Sequence, residues 1–194
     1  MKLQDMIYIA LFTAIIGALS IFPPITIPFI PVPITMQTLG VMLAGGVLGA
    51  KRGGLSLLLF LALVIIGVPL LSGGRGGIGP LIGPGGGYIL AWPVAAWAIG
   101  YLTEKTWHTL TLTKVILYNI IGGIIIIYLG GVTYLSFMSN LPWASTAVSS
   151  LVFLPGDLIK VVISSAITIK LKSSYPLIQI EKPTYEEPIH SASS

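Results

Sequence analysis

The chain consists largely of apolar runs that carry almost no charge, and that one feature decides which solvent it can fold in. Six such segments can be read: Met6–Phe22, Ile34–Ala50, Leu55–Leu71, Tyr88–Leu102, Val115–Phe137, and a last one that ends at Leu171 and is interrupted by Pro155-Gly156. Most are close to the ~17 residues needed to cross a hydrocarbon core about 30 Å thick. Only 8% of the 194 residues are charged and 55% are hydrophobic, against roughly 25% charged in a soluble domain. So few charges could not cover a soluble surface. In lipid every backbone N–H and C=O must be satisfied internally, which leaves helices or closed barrels, and unbroken apolar runs lack a barrel's alternation. The expectation is an all-α integral membrane protein. Residues 1–172 would form a six-transmembrane-helix bundle, and residues 173–194, with Glu181, Glu186, Glu187 and several prolines, a cytoplasmic tail of disorder-prone composition.

The cations orient this bundle. Lys2, Lys51, Arg52, Lys105, Lys114, Lys170, Lys172 and Lys182 all fall on one side of it, eight of the ten Lys and Arg. The positive-inside rule places that side, and both termini, in the cytoplasm. The net charge of +4 is then topological, and nucleic acid is not an expected partner. No cleavable leader is expected, because the first apolar run is long enough to stay in the bilayer and no small-residue cleavage site follows it. The absence of cysteine excludes disulfides, thiolate nucleophiles and Cys-ligated metals. His108 and His190 stand without neighbouring ligands, and no Ser/His/Asp set or paired carboxylates converge in the membrane segments. Neither a metal site, nor a cofactor, nor enzymatic catalysis is expected.

Two outward connections are unusual. Residues 73–88 hold nine of the 23 glycines and two of the 14 prolines, a content that argues against helix or strand interior. The spacing Gly74-x-Gly76-x-x-Gly79 fits a dinucleotide fingerprint but lacks the strand before it and the βαβ unit around it. No phosphate-binding P-loop is present either. What such a segment offers is backbone N–H and C=O close to a ligand without side chains between, with Gly83 and Gly86 as candidate contacts. The other connection, residues 23–33, has five prolines and no charge; fixed φ angles make it an extended, stiff strap that can serve as a lid. A third, Ser139–Leu154, includes Pro142-Trp143 and suits a short interfacial helix.

Asp157 and Lys160 are the chief anomaly. Ionisable groups inside membrane segments cost at least ~2.5–3.5 kcal/mol at the centre and are functional hypotheses by default. At i and i+3 they share a helix face and can pair. One reading is a carboxylate in the first turn after Pro155 with a lysine that neutralises it. The other is a polar pair facing a cavity, an acceptor beside a donor that suits a neutral group carrying both N–H and C=O. The final helix starts near Pro155, or near Ala144 with a break at Pro155-Gly156. Arg75, the clear outer cation, is a candidate for a ligand carboxylate or a solvated loop charge. Gln37 is a ligand contact or a cap. Tyr88 and Trp92, four apart, are cavity walls or interfacial aromatics. Ala10, Ala14 and Ala18, with Thr13 and Gly17, form a small-residue stripe that permits close helix approach in lipid, either within the bundle or to another membrane protein. From the residues alone the function is handling of a small, polar, amphipathic solute; a self-sufficient small-solute transporter or channel remains the alternative.

Three motifs occur in order: Pro31-Val-Pro-Ile-Thr-Met-Gln-Thr-Leu39 followed by Leu43-Ala-Gly45; Gly73-Gly-x-Gly-Gly with Gly83-Pro-x-Gly-Gly-Tyr88; and Leu154-Pro-Gly-Asp-x-x-Lys160. Together they resemble the BioY family, the biotin-binding substrate-specificity (S) components of energy-coupling factor (ECF) transporters, over nearly the whole chain to about Leu171. The resemblance implies a six-helix S-component fold that captures biotin from outside. Uptake would be powered by a separate module, a transmembrane coupling protein with two ATPase subunits. It implies that Asp157 and Lys160 hydrogen-bond the ureido ring, and that Ala10, Ala14 and Ala18 match the family's A-x-x-x-A docking pattern. Two positions depart: Gly85 stands where the family commonly has Thr, and Arg75 occupies a variable position.

Overall fold

The first helix, α1 (Leu3–Ala18), shows how the apolar runs are sorted between protein and surroundings. It buries Ile9, Phe12, Thr13, Ile16 and Gly17, the i, i+3, i+4 pattern of one helix face, and leaves Ile7, Ala10, Leu11, Ala14 and Ala18 exposed. It begins at Leu3 because the Asp5 carboxylate accepts the Lys2 backbone N–H at 2.9 Å, and a 3-10 turn, Leu19–Ile21, extends it. The structure is a computed structural model that describes residues 2–28, 31–174 and 177–178. Most of the expected tail lies outside the described residues.

The second and third apolar runs become α2 (Gln37–Leu48) and α3 (Ala50–Ile65). The turn between them is one residue, Gly49, at φ 85°, so the expected break at residues 51–54 is replaced by the first turn of α3. Gly53 stays helical because its missing side chain lets α3 cross α2 closely: a Cβ there would lie 2.7 Å from the Ala44 carbonyl oxygen. α3 stops at Ile65, short of the expected Leu71, where Gly67 takes φ 104° and Pro69 follows. The glycine-rich segment is not wholly irregular. It contains α4 (Gly79–Ile82) and runs into α5 (Gly86–Leu90). Gly87 is helical because its bare backbone lets α5 lie against Gly130 and Tyr134; close approach outweighs glycine's entropic cost. After Ala91 the chain continues as α6 (Trp92–Lys105) with Pro93 in its first turn, where a missing N–H costs nothing.

The fifth run is one long rod: α7 (Leu112–Ile120), a π-helical stretch Ile121–Ile126, and α8 (Ile127–Ser139). Gly122 and Gly123 let the widened turn press against Ile99 and Met42. The last run comprises α9 (Trp143–Ser150), a 3-10 turn, and α10 (Leu154–Ser174). Both expectations for it are met in part, a short helix at Trp143 and a separate start at Pro155, and α10 passes the expected boundary at residue 172. No strand occurs among the described residues, only isolated bridges at Ile25–Ile34 and Leu71–Arg75.

Three helical rods are long and apolar enough to cross a membrane: Leu3–Ile21, Leu112–Ser139 and Trp143–Ser174. The others are shorter. α2 sits centrally, packed on α3, α6 and α10. Its far end is where the cation-bearing segments meet. Arg52 pairs with Asp5 at 2.7 Å, donates to the Leu177 carbonyl at 2.9 Å and lies over the Tyr8 ring. Lys172 lies over Trp107, and Glu104 accepts the Ala50 N–H at 2.9 Å. The near end of α2, at Gln37, opens on a cavity.

Candidate ligand-binding site

The cavity has a volume of about 360 Å³, within the ~300–1,000 Å³ range of small-molecule sites. Four parts of the chain build it: the proline strap (Pro31 to Thr35), the start of α2 (Gln37, Thr38), the glycine-rich segment with α5 and the start of α6 (Leu71 to Trp92), and the facing turns of α8 and α10 (Tyr128, Asp157, Lys160). Its wall is aromatic. Tyr88, Tyr128 and Phe153 meet edge to face, with ring centroids 6.2–6.4 Å apart, a favoured geometry for such rings. The Tyr88 hydroxyl is 2.8 Å from Ser150 Oγ, which fixes the wall to α9.

The polar group of the cavity is the Asp157–Lys160 pair, closed at 2.9 Å and buried, while Leu158 and Ile159 on the other side of α10 are exposed. Lys160 Nζ donates to the Thr35 carbonyl at 2.6 Å, to Thr38 Oγ1 at 3.0 Å and to Asp157 Oδ1. That is its full complement of three N–H groups. Asp157 Oδ1 also takes the Thr38 hydroxyl at 3.4 Å, and Oδ2 takes the Tyr128 hydroxyl at 2.8 Å. A buried ion pair survives only with such supporting bonds, since desolvation otherwise exceeds the Coulombic gain. Oδ2 retains acceptor capacity for a ligand N–H. The pair thus holds the strap, α2, α8 and α10 together at one point, beside an apolar wall.

Of the residues singled out in the sequence, Asp157, Lys160, Arg75, Gln37, Tyr88, Trp92 and Gly83 line this one cavity. Tyr88 and Trp92 are buried in its wall and are not interfacial aromatics. Gly86 is not among the lining residues; its backbone is packed against the Leu81 carbonyl, and Gly79, Gly83 and Gly85 line the cavity. Gln37 lines it, yet both ends of its amide are already bonded to protein. The small-residue stripe divides. Thr13 and Gly17 face the bundle, with Thr13 Oγ1 on the Ile9 and Ser56 carbonyls and Gly17 against Leu70, whereas Ala10, Ala14 and Ala18 face outward. Tyr128, Thr38, Thr35 and Phe153 were not anticipated. Tyr128 had a signal, the one hydroxyl in the apolar stretch 120–132; Phe153, directly before α10, reads in sequence as one more apolar residue, and Thr35 and Thr38 are brought to α10 only by the fold.

The BioY family model matches residues 1–177. The chain belongs to the BioY family. It is 43% identical over 183 residues to the biotin transporter BioY of Rhizobium etli, covering 92% of this chain and 98% of that one. It is 44% identical to the probable biotin transporter BioY of Bacillus subtilis, covering 91% and 95%. Among solved structures it superposes on the S-component for biotin from an ECF-type ABC transporter, with a TM-score of 0.85 and 40% identity over 89% of this chain and 92% of that one. The all-helical arrangement described above is therefore an S-component fold, and this BioY chain is a transport protein of the membrane.

Proposed function

We infer that this BioY chain is the biotin-specific S component of an ECF transporter, capturing biotin from outside the cell membrane for uptake energised by a separate module. The observation that carries the reading is the buried Asp157–Lys160 pair at the edge of an aromatic-walled cavity. Biotin presents a ureido group with N–H donors and a C=O acceptor, an apolar ring and chain, and a carboxylate. Asp157 Oδ2 accepts a ureido N–H, and Lys160 exchanges one of its three present bonds to donate to the ureido oxygen. Val32, Ile34, Tyr88, Trp92, Tyr128 and Phe153 hold the apolar part, and Arg75 meets the carboxylate. Excluding water from the cavity makes each of these polar contacts stronger than at a surface.

Six helical units cross the membrane in this reading, and the short α2 needs less length because its start, at Gln37 and Thr38, lines the cavity. The Arg52–Lys172 end is cytoplasmic, in keeping with the positive-inside rule. Ala10, Ala14 and Ala18 form the face that docks on a transmembrane coupling protein, whose module includes two ATPase subunits; their outward orientation supports this assignment, since small residues let a second helix approach closely. Lipid covers the remaining apolar surface, and no nucleic acid takes part. The protein uses no cofactor and catalyses no reaction; biotin is cargo. Native mass spectrometry of protein purified from biotin-containing medium is expected to show one biotin per chain, removable by unfolding. Absence of biotin, together with ion-driven solute uptake by the protein alone in liposomes, would replace this reading with that of a self-sufficient transporter.

A further inference from the structure

We propose that Gln37 is a positioning residue, which sets the glycine-rich turn and Arg75 over the cavity without bonding the ligand itself. Gln37 opens α2 and is 1% exposed. Its Nε2 donates to the Ile16 carbonyl at 3.2 Å and the Leu70 carbonyl at 2.9 Å, and its Oε1 accepts the Ser72 N–H at 3.0 Å and the Ser72 hydroxyl at 3.2 Å. Two donors and two acceptors are the whole capacity of a side-chain amide. The Ser72 carbonyl then accepts Arg75 Nε at 3.1 Å. Gln37, Ser72 and Arg75 thereby form a relay from the helical frame to the outer cation.

The turn needs such a peg. Leu71 and Arg75 exchange both backbone hydrogen bonds, at 2.9 and 3.1 Å, around Gly73 and Gly74 at φ 81° and 69°. Glycines in these conformations contribute no side chains to hold the turn in place; a Cβ on Gly74 would meet nothing within 4 Å. Arg75 is exposed and makes no ion pair among the described residues. With Nε tied to Ser72, its two terminal nitrogens make no hydrogen bond among the described residues and can meet a planar anion, and a guanidinium held at one point loses less freedom on forming a bidentate pair.

The proposal rests on the reading of Arg75 as partner of the biotin carboxylate, so its test compares biotin with biotinamide, whose carboxylate is replaced by a neutral amide. Calorimetry is made on the purified full-length protein, its Arg75→Ala and Gln37→Met variants, and the double variant. Arg75→Ala is expected to weaken biotin about tenfold or more while sparing biotinamide, as for loss of a charge-assisted bond. Gln37→Met is expected to reproduce most of that selective loss, and the double variant to add little to either, the signature of residues acting as one unit. Equal loss for both ligands, no loss, or additive effects overturn the proposal and make Gln37 purely structural. If Arg75→Ala leaves the ratio of the two affinities unchanged, the carboxylate assignment fails and the relay with it, while biotin binding stands. Should Gln37→Met not fold, Ser72→Ala removes only the hydroxyl bond. A smaller loss confined to biotin then supports the relay, and an equal loss for both ligands, or none, overturns it.

Discussion

Asp157 is the residue on which most of the site converges, because one carboxylate takes hydrogen bonds from α2, α8 and its own helix. Replacing it with Asn keeps the shape and removes the charge, leaving Lys160 buried with no counter-ion, an arrangement that is strongly unfavourable. Asp157→Asn is expected to weaken biotin binding by about 10- to 100-fold, the range for bonds to a charged group, as read by calorimetry on protein whose monodispersity shows it folded. Tyr128→Phe takes away one donor to the same carboxylate, and a smaller loss, about 2- to 10-fold, is expected. Leu158→Ala, next in sequence but exposed on the far side of α10, should leave affinity unchanged. Comparable losses in all three would mean that the measurements report general destabilisation of α10 and not this site.

At the scale of helices, two glycine-and-alanine surfaces do different things. The pair α5 and α8 is held at close range by Gly87 and Gly130, and Tyr88, next to Gly87, carries the cavity wall. A methyl group at Gly87 would collide with Tyr134 and the Gly130 carbonyl; forcing such a contact in a packed interior typically costs about 1–3 kcal/mol. Gly87→Ala is therefore expected to lower the melting temperature by several degrees and to weaken biotin binding with it, both readable in one thermal-shift titration. On α1 Ala10, Ala14 and Ala18 face outward, so enlarging them meets no part of the bundle. Ala10→Phe with Ala14→Phe should leave biotin affinity unchanged and abolish co-purification with the energising module. Loss of biotin binding in that variant would mean that the alanine face supports the protein's own fold.

For the whole molecule the testable statement is which end faces out. The cations gathered near Arg52 and Lys172 and the cavity near Arg75 stand at opposite ends of α2, and the chain has no cysteine of its own. Single cysteines therefore report sidedness without background. Ile78→Cys, 60% exposed in the glycine-rich segment, should react with a membrane-impermeant maleimide on intact cells. Lys105→Cys, exposed at the end of α6, should react only after permeabilisation. The opposite pattern would invert the topology and place the ligand site inside. Ligand occupancy belongs to the same scale, since binding to the folded state alone contributes about 2.7 kcal/mol of stability at one hundred times Kd.

Much of this was already decided by the order of residues. Low charge and long apolar runs dictate helices in lipid, because no other open structure satisfies its backbone there. An ion pair at i and i+3 in such a run is out of place against lipid, which singles out Asp157 and Lys160 in the sequence, either as a self-neutralised pair or as a pair facing a cavity. What the tertiary structure decided was which neighbours complete it. Tyr128 is 29 positions from Asp157 and Thr38 is 119, and the π-helical turn at residues 121–126 helps set the face on which Tyr128 emerges, a rotation that no local pattern encodes. The same holds for Gln37, which reads in sequence as a polar residue near a cavity. Whether an amide bonds a ligand or the chain depends on carbonyls and N–H groups at Ile16, Leu70 and Ser72, and those are brought within 3.2 Å only by folding.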